Sequence, residues 1–205
     1  MATTQTKPKT PAKQAAAKSG AATGSQKEPK TLHDLLEEAL KDIYSAEMQL
    51  TEALPLMAKA CESEDLQDAF TNHLQQTKRH AERLEKVFNR LGIDKSEIET
   101  CKAMQGLIAE AKKIMEEFEE SPVRDSALII AAQKVEHYEI ASYGSICELC
   151  DVLGHRKTGE LLGRTLDEEE ETDELLTDIA QEINDEACDM SEGQGEEEEE
   201  DEDET

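Results

Sequence analysis

Apolar residues recur along this chain at intervals of three and four from residue 32 to residue 183, with a handful of interruptions. Leu32, Leu36, Ala39, Leu40, Ile43, Leu50 and Leu54 make the first stripe, the spacing of one face of an amphipathic helix. Thr31 with Asp34 three residues later is a capping-box-like start. This helix is expected to run to about Cys61, with a kink at Pro55. After a turn around residues 63–65, Phe70, Leu74, Thr77, Ala81, Leu84 and Leu91 form a second stripe, closed by Gly92, a residue suited to a C-terminal cap. Residues 94–120 carry Met104, Leu107, Ile108, Ile114 and Phe118 in a looser pattern and predict a helical connection. Ser121-Pro122 then sets an N-cap before a proline at the first helical position. The third helix, to Leu153, is apolar nearly all round: Leu128, Val135, Tyr138, Ile146 and Leu149 lie on one face and Ile129, Ala132, Ile140 and Tyr143 on another. Such a helix is enclosed by neighbours on several sides. Gly154 ends it, and Leu162, Leu166, Leu176, Ile179 or Ala180, and Ile183 predict a fourth helix from Arg156 to about Ala187.

At about 1.5 Å per residue, each helix spans roughly 40–45 Å. Two tight hairpins joined by a long connection describe an all-α, ferritin-like antiparallel four-helix bundle with a crossover between the second and third helices. The rival is an up-down bundle with an extra helix inserted. The crossover is favoured because residues 93–121 suffice to travel back along the bundle.

Carboxylates interrupt the stripes. Glu47 falls between Ile43 and Leu50, Glu136 and Glu139 lie on the Ile129/Ala132/Tyr143 face, and Glu169 and Asp173 sit between Leu166 and Leu176. A lone carboxylate on a helix face is more commonly solvated. Several inside one bundle each cost several kcal/mol or take up a proton unless partnered. Reflection through the hairpin turns brings Glu139 level with Glu169 about Gly154, and Glu47 level with His80 about residues 63–64. Four helices are therefore expected to aim Glu47, His80, Glu136, Glu139, Glu169 and Asp173 at one mid-bundle volume. Oxygen-rich ligands with an imidazole suit iron or manganese, and two divalent cations would neutralise the acids.

The charge is uneven as well as large, with a formal net value of −27. Residues 1–30 hold six lysines and one acid among Ala, Thr, Pro and Gly and read as a disordered basic arm. Residues 191–205 read as a disordered acidic tail repelled by its own charge. The segment between them, residues 31–190, is itself acidic. It should repel a free duplex and leave only residues 1–30 for a weak DNA contact. No apolar run is long enough for a membrane span, no secretory leader is evident at the N-terminus, and five scattered cysteines suit a reducing cytoplasm. Cys147-Glu-Leu-Cys150 matches a C-x-x-C spacing, but late in a helix, where small core residues are the ordinary reading. The glycines form no phosphate loop, and no hydrolase or kinase motif appears.

Residues 42–47 (Asp-Ile-Tyr-Ser-Ala-Glu), His73 to Thr77 with Arg83 to Glu85, residues 135–141 (Val-Glu-His-Tyr-Glu-Ile-Ala) with Tyr143-Gly144, and Leu166 to Glu169 with Thr172-Asp173 resemble the YciE/YciF stress-protein family of the ferritin-like superfamily. The resemblance covers residues 31–187. It implies a homodimeric bundle with a di-iron or other dimetal centre and ferroxidase-like oxidation of Fe(II). The ferritin-like pattern asks for Glu-x-x-His on the second and fourth helices. Here the second helix offers His73-x-x-Gln76 and Thr77-x-x-His80, placing Gln76 where a carboxylate would serve a cation better, and the fourth offers Thr172 or Asp173 instead of His. Tyr44, Tyr138 and Tyr143 read as core or rim aromatics, the alternative being a supply of electrons or hydrogen bonds to such a centre. The alternative functions are a DNA-associated stress protein acting through residues 1–30 and a structural dimer with a degenerate site.

Overall fold

The structure is a computed structural model that describes the backbone of residues 29–202 and the side chains of residues 29–190. The basic arm through residue 28, residues 203–205 and the acidic side chains beyond residue 190 lie outside the described residues. Five helices follow in order: α1 (Leu32–Ala60), α2 (Glu64–Leu91), α3 (Lys102–Glu117), α4 (Pro122–Val152) and α5 (Arg156–Glu202).

The helix ends follow from local chemistry. The Thr31 backbone N–H donates to the Asp34 carboxylate at 2.7 Å while the Asp34 N–H donates to Thr31 Oγ1 at 3.2 Å, closing the capping box. α1 continues through Pro55 to Ala60 without a break. Ser63 and Ser121 cap α2 and α4, each accepting a backbone N–H three residues on. Gly92 ends α2 at φ 72°, a left-handed conformation that suits glycine. α5 runs well past Ala187, where its apolar stripe stops.

The two ends of the bundle fix the topology. Asp125, in the first turn of α4, accepts the backbone N–H groups of Glu62 and Ser63 at 3.0 and 2.7 Å, so α4 begins where α1 ends. At the opposite end His33 meets His155 edge-on, with ring centroids 5.7 Å apart. α4 is therefore antiparallel to α1, and residues 92–121 travel back along the bundle. α3 lies against α1 and α4 as part of that crossover. Its start is pinned where Gln49 Nε2 donates to the Cys101 carbonyl at 3.1 Å and the Cys101 N–H donates to Ser45 Oγ at 2.9 Å. The other neighbours are α1–α2, α2–α5, α4–α5 and α1–α4, which closes the ring. α4 is packed on three sides, by α1, α3 and α5, though Ile130 on its remaining face is exposed.

The core is apolar at both ends and polar in the middle. Along α1, Leu36, Leu40 and Ile43 are buried, then Glu47, then Leu50 and Leu54. Along α2 the order is Leu66 and Phe70, then His73, Thr77 and His80, then Leu84 and Phe88. α4 and α5 repeat it, with Glu136 and Glu139 between Leu128 and Ile146, and Thr165, Glu169 and Thr172 between Leu162 and Leu176. No helix among the described residues is long and apolar enough to cross a membrane. Cys147 and Cys150 pack on the Gly159 side of α5. Burial pushes both thiols up, Cys150 to about 11, the reverse of what a reactive thiolate requires.

Candidate metal centre

The polar belt is built by helical register. His73, Thr77 and His80 fall on one face of α2 at spacings of four and three, and Glu136 and Glu139 share a face of α4. α1 and α5 add Glu47 and Glu169. Two ligand groups result, His73 with Glu136, Glu139 and Glu169, and Glu47 with His80 and Glu169; within each group one ligand atom per residue lies within 4.8 Å of the others. Glu169 belongs to both. Its Oε1 is 3.0 Å from His80 Nδ1, and its Oε2 is 4.0 Å from His73 Nε2. Glu47 Oε1 is 3.4 Å from His80 Nδ1, and Glu136 Oε1 is 3.4 Å from His73 Nε2.

These groups are sealed from water, with none of the four carboxylates more than 2% exposed. Eight of their atoms have no hydrogen-bond partner: Glu47 Oε2, Glu136 Oε2, both oxygens of Glu139, both of Glu169, His73 Nε2 and His80 Nδ1. The nitrogen–oxygen approaches are close, yet the oxygens lie off the N–H directions of the rings. Each orphaned buried polar atom costs about 1–3 kcal/mol, more when charged. Protonation responds accordingly. Burial, then the charges of Glu169 and Glu47, pushes the Glu136 carboxyl well up, and burial, then Glu47 and Glu169, does the same to Glu139. Burial also raises Glu47, against the lowering influence of His80. Burial and the His80 charge push His73 down to about 4, so its ring is neutral. Burial works to lower His80 too, but its contacts with Glu169 and Glu47 outweigh that and hold it up at about 10. The proton on His80 Nδ1 thus points where a cation would sit.

A surrounding shell orients the two imidazoles in opposite senses. His80 Nε2 donates to Glu168 Oε2 at 2.7 Å, turning Nδ1 inward. Arg83 grips the same carboxylate with both Nη atoms at 2.9 and 2.7 Å, and Nη1 also donates to Thr165 Oγ1 at 3.0 Å. Burial disfavours charge on Glu168, yet the hydrogen bonds from Arg83 and His80 prevail and hold its carboxyl at about 2. His73 faces the other way: Nδ1 lies 3.3 Å from Gln76 Oε1, so that Nε2 turns inward. Tyr143, fully buried, donates its hydroxyl to Glu47 Oε1.

The structure thus brings together five of the seven residues that the sequence nominates, Glu47, His80, Glu136, Glu139 and Glu169. Gln76 stands behind His73 as its hydrogen-bond partner, outside both groups. Asp173 lies at the α4–α5 seam, 3.3 Å from His137 Nε2, also outside them. Sequence reasoning missed His73 as a candidate ligand, and Glu168 with Arg83 as the support behind His80. His73 was findable, because it sits two turns from His80 with the core residue Thr77 between. Tyr44 donates to Glu85 at 3.2 Å and Tyr138 to Asp42 at 2.7 Å, both away from the ligand groups.

Four carboxylates and two imidazoles, with one carboxylate common to both groups, fit a pair of divalent cations of the iron, manganese or zinc kind. Such ions would supply partners for orphaned atoms of both groups.

Comparison with known proteins agrees with this architecture. The profile described as "Domain of unknown function (DUF892)" matches residues 31–188. Protein YciF of Escherichia coli K12 is 49% identical over 151 residues, covering 74% of this chain and 91% of the relative. The crystal structure of the E. coli stress protein YciF superposes with a TM-score of 0.71 at 46% identity, over 77% of this chain and 99% of that one. The protein YcfI from Rhodopseudomonas palustris superposes with a TM-score of 0.70 at 39% identity, over 74% and 96%. A Xanthomonas campestris protein at 18% identity shares the fold, with a TM-score of 0.62 over 78% of this chain and 98% of that one. With its ferritin-like four-helix bundle and a profile match spanning most of its length, this chain belongs to the YciE/YciF family, the family described as DUF892.

Proposed function

We propose that this protein holds a dinuclear iron centre in its polar belt and acts as a ferroxidase, oxidising Fe(II). The observation that carries the reading is the set of eight sealed ligand atoms without partners, divided between two groups that share Glu169. A bundle selected only for stability would fill this level with leucine, because buried ion pairs are commonly replaced by apolar residues at no loss. Iron bound there supplies one-electron chemistry toward dioxygen or peroxide, with carboxylates favouring Fe(III). The chain's own part is to fix the donors. Glu169 spans both positions, Glu168 and Gln76 set the ring orientations, and Tyr143 holds Glu47.

Anaerobic Co(II) titration of the full chain should show about two equivalents bound in the manner of dinuclear carboxylate centres. Fe(II) added in air should then give ferric absorption that Glu169→Ala abolishes together with Co(II) binding. No uptake by the parent protein, or uptake by Glu169→Ala equal to the parent's, would remove the proposal.

Protons must leave as cations arrive. His80, held at about 10, carries a proton at neutral pH that a cation displaces, and burial holds the Glu136 and Glu139 protons more tightly than on ordinary carboxyls. His73, at about 4, has none to give. Affinity is therefore expected to rise with pH through the neutral range toward about 10, where His80 gives up its proton without help. Titration calorimetry in two buffers of different ionisation enthalpy should report net proton release. The stability of the protein without added cation should move the opposite way. A histidine held above its ordinary value near 6.5 stabilises the fold below that pH and loses this contribution as pH rises toward 10.

A further inference from the structure

Asp173 stands one helical turn beyond the shared Glu169 and outside both ligand groups. Its Oδ2 lies 3.3 Å from His137 Nε2 across the α4–α5 seam, where the His137 side chain is 70% exposed. Its Oδ1 is sealed from water and has no hydrogen-bond partner. A surface ion pair with His137 would account for Oδ2 and leave Oδ1 unexplained. Directly before His137 in sequence comes Glu136, buried, with its own Oε2 unpartnered. Glu136 shares a ligand group with Glu169, which precedes Asp173 by one helical turn, so the His137–Asp173 pair adjoins that group from both helices. From solvent inward there follow an exposed imidazole, a seam carboxylate with one orphaned oxygen, and a buried ligand of the centre.

Every ligand of the two groups is buried, so an ion needs a way in. The groove between α2 and α5, about 400 Å³ and lined by Gln76 and Thr172, leads to the wrong edge of His73. There Nδ1 is engaged with Gln76 and offers no lone pair to an arriving cation. The hollow between α1 and α3, about 510 Å³, is lined by Gln49, Ala53, Ile108 and Lys112 and by no residue of either ligand group. The α2–α5 groove carries the exposed carboxylate of Glu171 but no imidazole, whereas the α4–α5 seam pairs an imidazole with a carboxylate beside the ligand groups.

Resting on the dinuclear reading above, we propose that His137 and Asp173 form an outer docking site for a divalent cation, from which the ion is handed to Glu136. One imidazole and one carboxylate, completed by water, suit borderline cations such as Fe(II), Co(II) or Zn(II). Two protein donors hold such an ion weakly enough to release it inward.

The test is Co(II) loading of the full chain by stopped flow, with release to excess EDTA measured on the loaded protein. An outer site on the route governs passage both ways, so His137→Ala should slow loading and release together, by about tenfold, a barrier increase near 1.4 kcal/mol. Asp173→Asn should do the same. Glu171→Ala, which removes an exposed acid of the rival α2–α5 groove, should change neither rate by more than about twofold, and tenfold slowing there with parent-like rates in His137→Ala would place the route in that groove instead. Parent-like loading and release in His137→Ala would overturn the docking site and leave the centre standing. So would slower loading with faster release, because that pattern belongs to a weakened centre. Failure of the parent itself to take up Co(II) would overturn the dinuclear reading and this inference together.

Discussion

A Glu139→Met protein should melt at a higher temperature than the parent without added cation, and at a lower one once cation is present. Glu139 is fully buried and neither of its oxygens has a hydrogen-bond partner. Burial pushes its carboxyl up, and the charges of Glu47, Glu169 and Glu136 push it further. The side chain thus destabilises the fold whichever protonation state it takes. Methionine has similar length, fills irregular gaps and asks for no partner. Replacing buried charged groups with apolar ones is commonly neutral or stabilising by about 1–4 kcal/mol. For a chain of this size each kcal/mol moves the midpoint by about 2–4 °C. Cation at a hundred times its Kd would stabilise the parent by about 2.7 kcal/mol, and the variant, lacking a ligand, by much less. Thermal melts of both proteins with and without Co(II) therefore should cross over. Lower midpoints for the variant in both conditions would mean that Glu139 supports the fold in a way these contacts do not reveal.

Glu168→Leu should weaken cation binding by about 10–100-fold, the range typical for loss of a hydrogen-bond partner behind a ligating histidine. Glu168 touches no cation position. It accepts from His80 Nε2 at 2.7 Å, and Arg83 holds it in a two-pronged grip. Without it the imidazole is free to turn, Nδ1 is no longer held facing the interior, and the Arg83 guanidinium loses its carboxylate. Arg83→Lys should weaken binding in the same direction but by less, since an ammonium supplies charge without the planar fork. Nitrogen-15 spectra of the zinc-loaded parent should show the His80 proton on Nε2, and Glu168→Leu should broaden or shift that signal. A Glu168→Leu protein that binds Zn(II) as tightly as the parent would show that packing alone orients the ring.

Much of this arrangement was open to inspection in the chain itself, for identifiable reasons. The bundle follows from stripe spacing and from caps with strong local chemistry, such as Thr31/Asp34 and Ser121-Pro122. The crossover followed from the length of residues 93–121, and the Asp125 contact to residues 62 and 63 is its physical expression. Glu47, Glu139, Glu169 and His80 emerged because antiparallel partners are related by reflection through their turn, which needs no knowledge of side-chain direction. Direction is where the reading stopped. One residue turns a helix by about 100°, and stripe spacing alone does not distinguish the interior from the α4–α5 seam, where Asp173 sits, or from the position behind His73, where Gln76 sits. Glu168 lay one position off the apolar stripe, and its part depends on Arg83 and His80 reaching it from another helix. Long-range pairing of that kind leaves no periodic trace.

Glu169 extends one oxygen toward each imidazole, and in the proposed dinuclear centre this shared donor would link the filling of the two cation positions. Whichever ion arrives first fixes the shared carboxylate and dispels part of the negative potential. The second then gains from a preset donor and loses some attraction, and any net coupling must be felt equally in both directions. If preorganisation outweighs the lost attraction, singly occupied molecules will be scarce at half-saturation, and the pair will fill almost as one unit.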